Sequence, residues 1–243
     1  MKRLLAPALL LAAAACGIRD RAPGQPAAGS QPVAPSKILD FDSLYSENCA
    51  GCHGLSGKGD AAMGLADPVY LAIADDATIA RITAAGVSGT AMPPFAQKFG
   101  GTLTDEQVAA IVRGMRSRWA KADALEGANP PPYAATQPGD PQRGAVVYGV
   151  FCASCHGKDG SGGARASSVV DPSYLELVSD QGLRTAIIVG RPDLGAPDWR
   201  GDVPGKPMTP QDISDVVAWL AARRPGFGRT PNLSALRITG GAQ

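Results

Sequence analysis

Apolar residues in this chain recur mostly at helical spacing. Val108, Ile111, Val112 and Met115 fall at i, i+3, i+4 and i+7, and Ile213, Val216, Val217 and Leu220 repeat the same intervals. Each set predicts a helix that buries one face. The first is expected to open at Thr104, with Gln107 three residues on as the partner of a capping box. The second is expected to open at Thr209, with Pro210 at the first helical position. A shorter pattern precedes each. Ile79, Ile82 and Ala85 run up to Gly86, and Leu183, Ala186 and Ile187 run up to Gly190, a residue that commonly ends helices.

These pairings extend to other positions, so the chain carries an internal repeat. Asp67-Pro68-Val69-Tyr70-Leu71 matches Asp171-Pro172-Ser173-Tyr174-Leu175. Between and around the copies lie Pro/Gly-rich stretches. Residues 16–37 read as a flexible tether. Residues 123–139, which include Asn129-Pro130-Pro131-Pro132, read as an interdomain linker partly stiffened by proline. The copies are expected at 38–122 and 140–228, followed by a tail, 229–243, without clear periodicity. The 30 Gly and 21 Pro, with only 5% aromatics, leave little with which to fill two cores. Domains below about 100 residues are marginal on surface-to-volume grounds, so a bound apolar group at the centre of each would help. The formal charge of +1 offers no nucleic-acid signal.

The chemistry concentrates in the only two histidines. Each closes a Cys-x-x-Cys-His run, Cys49-Ala50-Gly51-Cys52-His53 and Cys152-Ala153-Ser154-Cys155-His156. A tyrosine stands four residues before each run (Tyr45, Tyr148) and a glycine follows it (Gly54, Gly157). This is the attachment signature of c-type haem. Two thiols add across the two vinyl groups of one porphyrin, and two intervening residues on a helical turn set their separation. The next residue then offers its imidazole to the iron. A redox dithiol or a four-thiolate zinc site would also use Cys-x-x-Cys, but neither needs a His after each pair. The expectation is two covalent haems, on Cys49, Cys52, Cys152 and Cys155, with His53 and His156 on the irons.

The N-terminus reads as a signal, residues 1–15. Lys2 and Arg3 precede an apolar run, Leu4 to Ala15, that is too short to span a bilayer. It ends in Ala13-Ala14-Ala15-Cys16, which resembles a bacterial lipoprotein signal, although Ala13 is smaller than the residue usual at that place. Cys16 would then carry the lipid, and the unpaired fifth cysteine is accounted for. The other reading is an ordinary secretory signal with an incidental cysteine. Loss of Lys2 and Arg3 with the signal takes the formal charge from +1 to −1. Either signal places the protein outside the cytoplasm, facing the periplasm or cell exterior, where c-type haem is attached.

Each copy resembles a class I cytochrome c domain: short helix, Cys-x-x-Cys-His, loop, middle helix, methionine loop, last helix. The whole resembles bacterial dihaem cytochrome c lipoproteins. The resemblance implies an all-α, loop-rich fold of two tandem domains, with the first and last helices of each crossing beside the haem. It also implies that Pro68 and Pro172 accept a hydrogen bond from the proximal imidazoles.

By the same resemblance the sixth ligand is a Met sulfur from the loop before the last helix. In the first copy that is Met92, in Thr90-Ala91-Met92-Pro93-Pro94-Phe95, between His53 and the Thr104 cap. In the second copy the stretch at the matching place between His156 and Thr209 is Leu194-Gly195-Ala196-Pro197-Asp198-Trp199, which puts Ala196 at the Met92 position. Alanine cannot ligate iron. Met63 lies in the first haem loop, and Met115 lies on the apolar face of the last helix of the first copy. For the second iron, either the Gly201–Pro207 loop rearranges so that Met208 reaches it, or Met208 is core and the iron is five-coordinate or water-bound; Lys206 is a further candidate. Arg191 and Trp199 flank this loop as candidates to bond haem propionates. Lys58 and Lys158 sit in the haem loops, where they could steer an acidic partner.

The expected function is a membrane-anchored electron carrier of a respiratory chain, or a fixed electron-transfer subunit of a respiratory complex, not an enzyme. It would work between a quinol-oxidising complex or dehydrogenase and a terminal oxidase or soluble cytochrome. The alternative is a gas sensor or reductase built on an open iron in the second copy. The chain has no spare histidine to serve as a distal acid or base.

Overall fold

The computed structural model describes residues 32–201 and 205–225; the predicted signal, Cys16 and the C-terminal tail lie outside them. Among the described residues the regular structure is helical. The first copy consists of α1 (Phe41–Asn48), α2 (Ala50–His53), α3 (Pro68–Ile73), α4 (Asp76–Ala85) and α5 (Asp105–Trp119). The second consists of α6 (Pro141–Phe151), α7 (Ala153–His156), α8 (Pro172–Leu177), α9 (Asp180–Val189) and α10 (Pro210–Ala221). The described residues from Ser36 onward form one compact unit, and buried residues of both copies make one continuous hydrophobic core.

Local chemistry accounts for the helix ends. Thr104 accepts from the Gln107 N–H while the Gln107 side chain takes the Thr104 N–H, and Thr209 and Asp212 make the same reciprocal pair. Asp67 and Asp171 cap α3 and α8, each followed by proline at the first helical position. Gly86 and Gly190 end α4 and α9 at φ of +68° and +67°, which L side chains adopt only with strain. The buried face of α9 differs from the expected one: Leu183, Arg184, Thr185, Ile188 and Val189 are buried and Ala186 is exposed. Linker packing causes this shift.

That linker is not a free connection. Arg184, only 2% exposed, donates from Nε to the carbonyls of Pro132 (3.2 Å) and Tyr133 (3.1 Å), and from Nη2 to Pro132 (2.8 Å). Its Nη1 reaches the Ser214 hydroxyl on α10 (3.3 Å). Gln181 adds a bond to the Tyr133 carbonyl (2.8 Å). The linker carbonyls are therefore satisfied by the second copy, and α3 of the first copy packs against α9 of the second.

In both copies the first helix crosses the last, and the crossing residues are exchanged. Phe41 and Gly144 each lie four residues before the repeated tyrosine of their copy, and Gly114 and Trp219 each lie ten after the capping threonine. In the first copy the large residue is on α1: a Cβ on Gly114 would sit 2.1 Å from the Phe41 ring. In the second the large residue is on α10: a Cβ on Gly144 would sit 2.1 Å from the Asp215 carbonyl and 2.7 Å from Trp219 Cβ. Ring contacts complete each crossing. Trp119 packs edge-on to Phe41 and Tyr45 (5.3 and 5.1 Å), and Trp219 stacks on Tyr148 (4.2 Å).

Candidate haem sites

The two Cys-x-x-Cys-His runs adopt the same local structure. The preceding helix stops at Cys49 or Cys152, whose backbone kinks to φ −119° in both copies. A single helical turn follows. The His53 N–H bonds to the Cys49 carbonyl (3.0 Å), and the His156 N–H bonds to the Cys152 carbonyl (3.0 Å). This turn places the two thiols of each pair three residues apart on one helical face, with the imidazole next to the second. None of these four cysteines forms a disulfide, and among the described residues no three His, Cys, Asp or Glu side chains gather as a metal site. The four-thiolate alternative therefore has no geometry to support it.

A backbone carbonyl holds each imidazole from behind. His53 Nδ1 lies 2.7 Å from the Met63 carbonyl and His156 Nδ1 lies 2.8 Å from the Ser167 carbonyl. A carbonyl only accepts, so Nδ1 donates and Nε2 is left to bind a metal. This corrects the role expected of Pro68 and Pro172, which instead begin α3 and α8. The sequence offers no signal for the actual partners, because a backbone carbonyl is independent of residue type and the spacing differs, 10 residues in one copy and 11 in the other. Burial keeps His53 below the ordinary imidazole pKa, despite the opposing effect of the Met63 bond, which favours the neutral form a metal binds.

The repeated tyrosines have a task that their spacing alone did not disclose. Tyr45 Oη donates to the Gly54 carbonyl (2.8 Å) and Tyr148 Oη to the Gly157 carbonyl (2.7 Å), pinning the turn that follows each histidine. The loop then wraps back: the Gly59 N–H bonds to the His53 carbonyl and the Gly162 N–H to the His156 carbonyl, both at 2.9 Å. Two arginines brace the next element. Arg116 donates to the carbonyls of Leu71 and Ala74 and pairs with Asp76 (2.6 Å). Arg224 does the same to Leu175 (3.0 Å), Val178 (2.9 Å) and Asp180 (2.5 Å). They come from different places in the repeat, Arg116 from within α5 and Arg224 from beyond the end of α10, so no sequence register pairs them.

The distal loops also superpose in their bonding. The Val87 N–H bonds to the Met92 carbonyl (3.0 Å) and the Arg191 N–H to the Ala196 carbonyl (2.9 Å). The Thr90 N–H bonds to the Val87 carbonyl as the Leu194 N–H does to that of Arg191. Ala196 is thus the structural counterpart of Met92. Met208 sits elsewhere. Its N–H bonds to the Trp199 carbonyl (2.8 Å) as the Leu103 N–H bonds to that of Phe95 (2.8 Å), and its side chain is buried in the core. Of the reading that takes Met208 to the iron, the rearranging residues 202–204 lie outside the described ones. Trp199 is a core residue, 3% exposed, while Lys58 and Lys158 are exposed.

The donor set fits a covalent haem in each copy: two thiols on one turn, and an imidazole whose ring is fixed by a carbonyl at Nδ1 and whose Nε2 is available. Fold and sites together define a dihaem c-type cytochrome. Comparison with known proteins agrees. The family described as cytochrome c oxidase, cbb3-type, subunit III matches residues 37–113 and again 139–220, and the chain belongs to it. Covalently bound c-type haem, with iron, follows for each copy. The cbb3-type cytochrome c oxidase subunit CcoP of Azospirillum sp. (strain B510) is 31% identical over 138 residues. That match covers 52% of this chain and 41% of the relative, so the chain spans well under half of the relative's length. Among solved structures, a chain of the Kuenenia stuttgartiensis reducing HAO-like protein complex aligns at TM-score 0.43 and 18% identity, covering 80% of this chain and 98% of that one. Thiosulfate dehydrogenase from Marichromatium purpuratum aligns at 0.29 and 20%, covering 89% and 53%. Both scores are below 0.5, and neither likeness carries weight. The chain functions in electron transfer.

Proposed function

We propose that this chain is a membrane-tethered dihaem electron carrier, with haem domains at 38–122 and 140–228 joined by 123–139. Cys49 and Cys52 hold the first haem, with His53 and Met92 on its iron; Cys152, Cys155 and His156 hold the second. When bound, haem supplies a one-electron iron couple, and a thioether ligand raises its potential. The residues do the rest. The Met63 and Ser167 carbonyls orient each imidazole, Tyr45 and Tyr148 lock the turns, and the shared core holds the copies in one body.

The observation that carries this reading is that the imidazole-fixing arrangement occurs twice within one compact unit. Electrons would enter from a quinol-oxidising complex or dehydrogenase and leave to a terminal oxidase or soluble cytochrome; the cbb3-type oxidase relative supports an oxidase as acceptor. No helix among the described residues is long and apolar enough to cross a membrane, so attachment would rest on lipid at Cys16 after removal of residues 1–15.

The test is a redox titration of the haem-loaded full chain. Two one-electron couples are expected, and Met92→Ala should lower the higher one and abolish the sulfur-to-iron charge-transfer band. A band that survives Met92→Ala would sink that assignment. Cys16→Ser should release the protein from the membrane fraction; retention there would refute the anchor.

A further inference from the structure

We propose that the second haem site binds a small neutral diatomic ligand, of the carbon monoxide or nitric oxide kind, on the face where the first site presents Met92. The inference rests on reading His53, Met92 and His156 as axial ligands. Three observations carry it.

The first is register. The distal loops of the two copies close through the same backbone bonds, Val87 to Met92 and Arg191 to Ala196, after glycines of nearly the same φ. Ala196 is not a slipped methionine loop; it occupies the ligand position with a side chain that ends at Cβ. The second is the place of the nearest sulfur. Met208 immediately precedes the cap of α10, as Leu103 precedes that of α5, and the two are 7% and 5% exposed. The Met208 backbone is tied to Trp199, itself a buried core residue. The Met208 side chain thus fills the core place that Leu103 fills in the first copy. The third is the engagement of the other candidate donors. Both histidines serve on the proximal sides, and Lys206 Nζ lies over the Phe151 ring, 5.8 Å from its centroid.

Alanine at the Met92 place lacks the Cγ, Sδ and Cε atoms, so the second copy presents a methyl group where the first presents a thioether. A site without that donor suits a small, weakly polar ligand that needs no hydrogen-bond partner. Binding is coordination alone: the ligand donates a lone pair to reduced iron, none of its own bonds breaks, and nothing is oxidised.

The experiment titrates the dithionite-reduced, haem-loaded full chain with carbon monoxide and follows the visible spectrum. One equivalent per chain is expected. Ala196→Met should abolish that binding and add a second sulfur-to-iron charge-transfer band in the oxidised protein. Met208→Leu should leave both the single equivalent and the single band as they are. Failure of the wild-type chain to bind any carbon monoxide overturns the proposal, as does a loss of charge-transfer intensity in Met208→Leu. Two equivalents, of which Ala196→Met removes one, would uphold the site and overturn instead the assignment of Met92.

Discussion

The two copies differ at their helix crossings and at their distal loops, and only one of these differences is compensated. At the crossing, Phe41 over Gly114 becomes Gly144 under Trp219, so a large residue meets a small one in both. The brace at the haem loop is likewise kept in effect, since Arg116 and Arg224 reach equivalent carbonyls and an equivalent aspartate from different turns. Packing preserves the sum of volumes and the placement of donors, not the residue at each position. The change from Met92 to Ala196 has no such partner. The loop keeps its closing bond while the thioether is lost, and the methionine at 208 takes a core position. Compensated exchanges preserve the fold; the uncompensated one distinguishes the sites.

The sharpest way to break the comparison is to remove one haem. Cys152→Ser with Cys155→Ser should leave one covalent haem per chain by intact mass, and Cys49→Ser with Cys52→Ser should do the same for the other copy; two haems in either variant would contradict the site assignment. Next comes the crossing. Gly144→Phe should destabilise by about 3 kcal/mol or more, because overpacking here meets backbone as well as Trp219. Adding Trp219→Gly removes the Trp219 contact but leaves the Asp215 carbonyl, so it should recover only part of that loss in denaturant titrations; no recovery at all would show that the exchange is coincidental.

A smaller effect concerns Asp215, which stands where the first copy has Ala110. Its carboxylate is 3% exposed and accepts from Arg143 (2.9 and 3.1 Å), the Asp140 N–H (2.7 Å) and Gln211 (2.9 Å). Burial alone would raise its pKa; the three partners together outweigh that and hold it below the ordinary value of 3.8. A lowered carboxylate stabilises the fold fully above the ordinary value and loses that contribution as pH falls through 3.8 towards its folded-state value. Asp215→Ala should weaken the fold by about 2 kcal/mol at neutral pH, mostly through donors left unpaired, since Arg143 is itself exposed. Asp215→Asn should flatten the acid limb of a stability-against-pH curve; an unchanged limb would remove Asp215 from the account.

Arg184→Met tests the linker. It should cost about 1–2 kcal/mol through the orphaned Pro132 carbonyl, Tyr133 keeping its bond from Gln181, and speed proteolysis within 123–139. Cleavage at the wild-type rate would mean the clamp does not hold the linker. The smallest effect is expected at the caps: Thr209→Ala and Thr104→Ala should each lose about 1 kcal/mol, measured by thermal melts.

Much of the fold was legible beforehand because its signals are local. Threonine caps, Pro at the first helical position, Gly86 and Gly190 as stops, and the i, i+3, i+4, i+7 apolar sets act within a few residues. Cys-x-x-Cys-His is local as well, since thioether attachment demands a fixed short separation. The middle helices were less legible. The apolar pattern of Leu183, Ala186 and Ile187 misplaced the buried face of α9, because the charged Arg184 is drawn inside by the carbonyls of Pro132 and Tyr133, far off along the chain.

The sequence by itself determined the helices, the repeat and the two haem-binding turns, since each depends on neighbours along the chain. Tertiary structure alone decided what those turns meet: which carbonyl fixes each imidazole, how a Phe–Gly pair answers a Gly–Trp pair, how the linker is clamped, and that Met208 lies in the core. Those outcomes depend on groups far apart in sequence, and on backbone atoms whose identity no residue letter records.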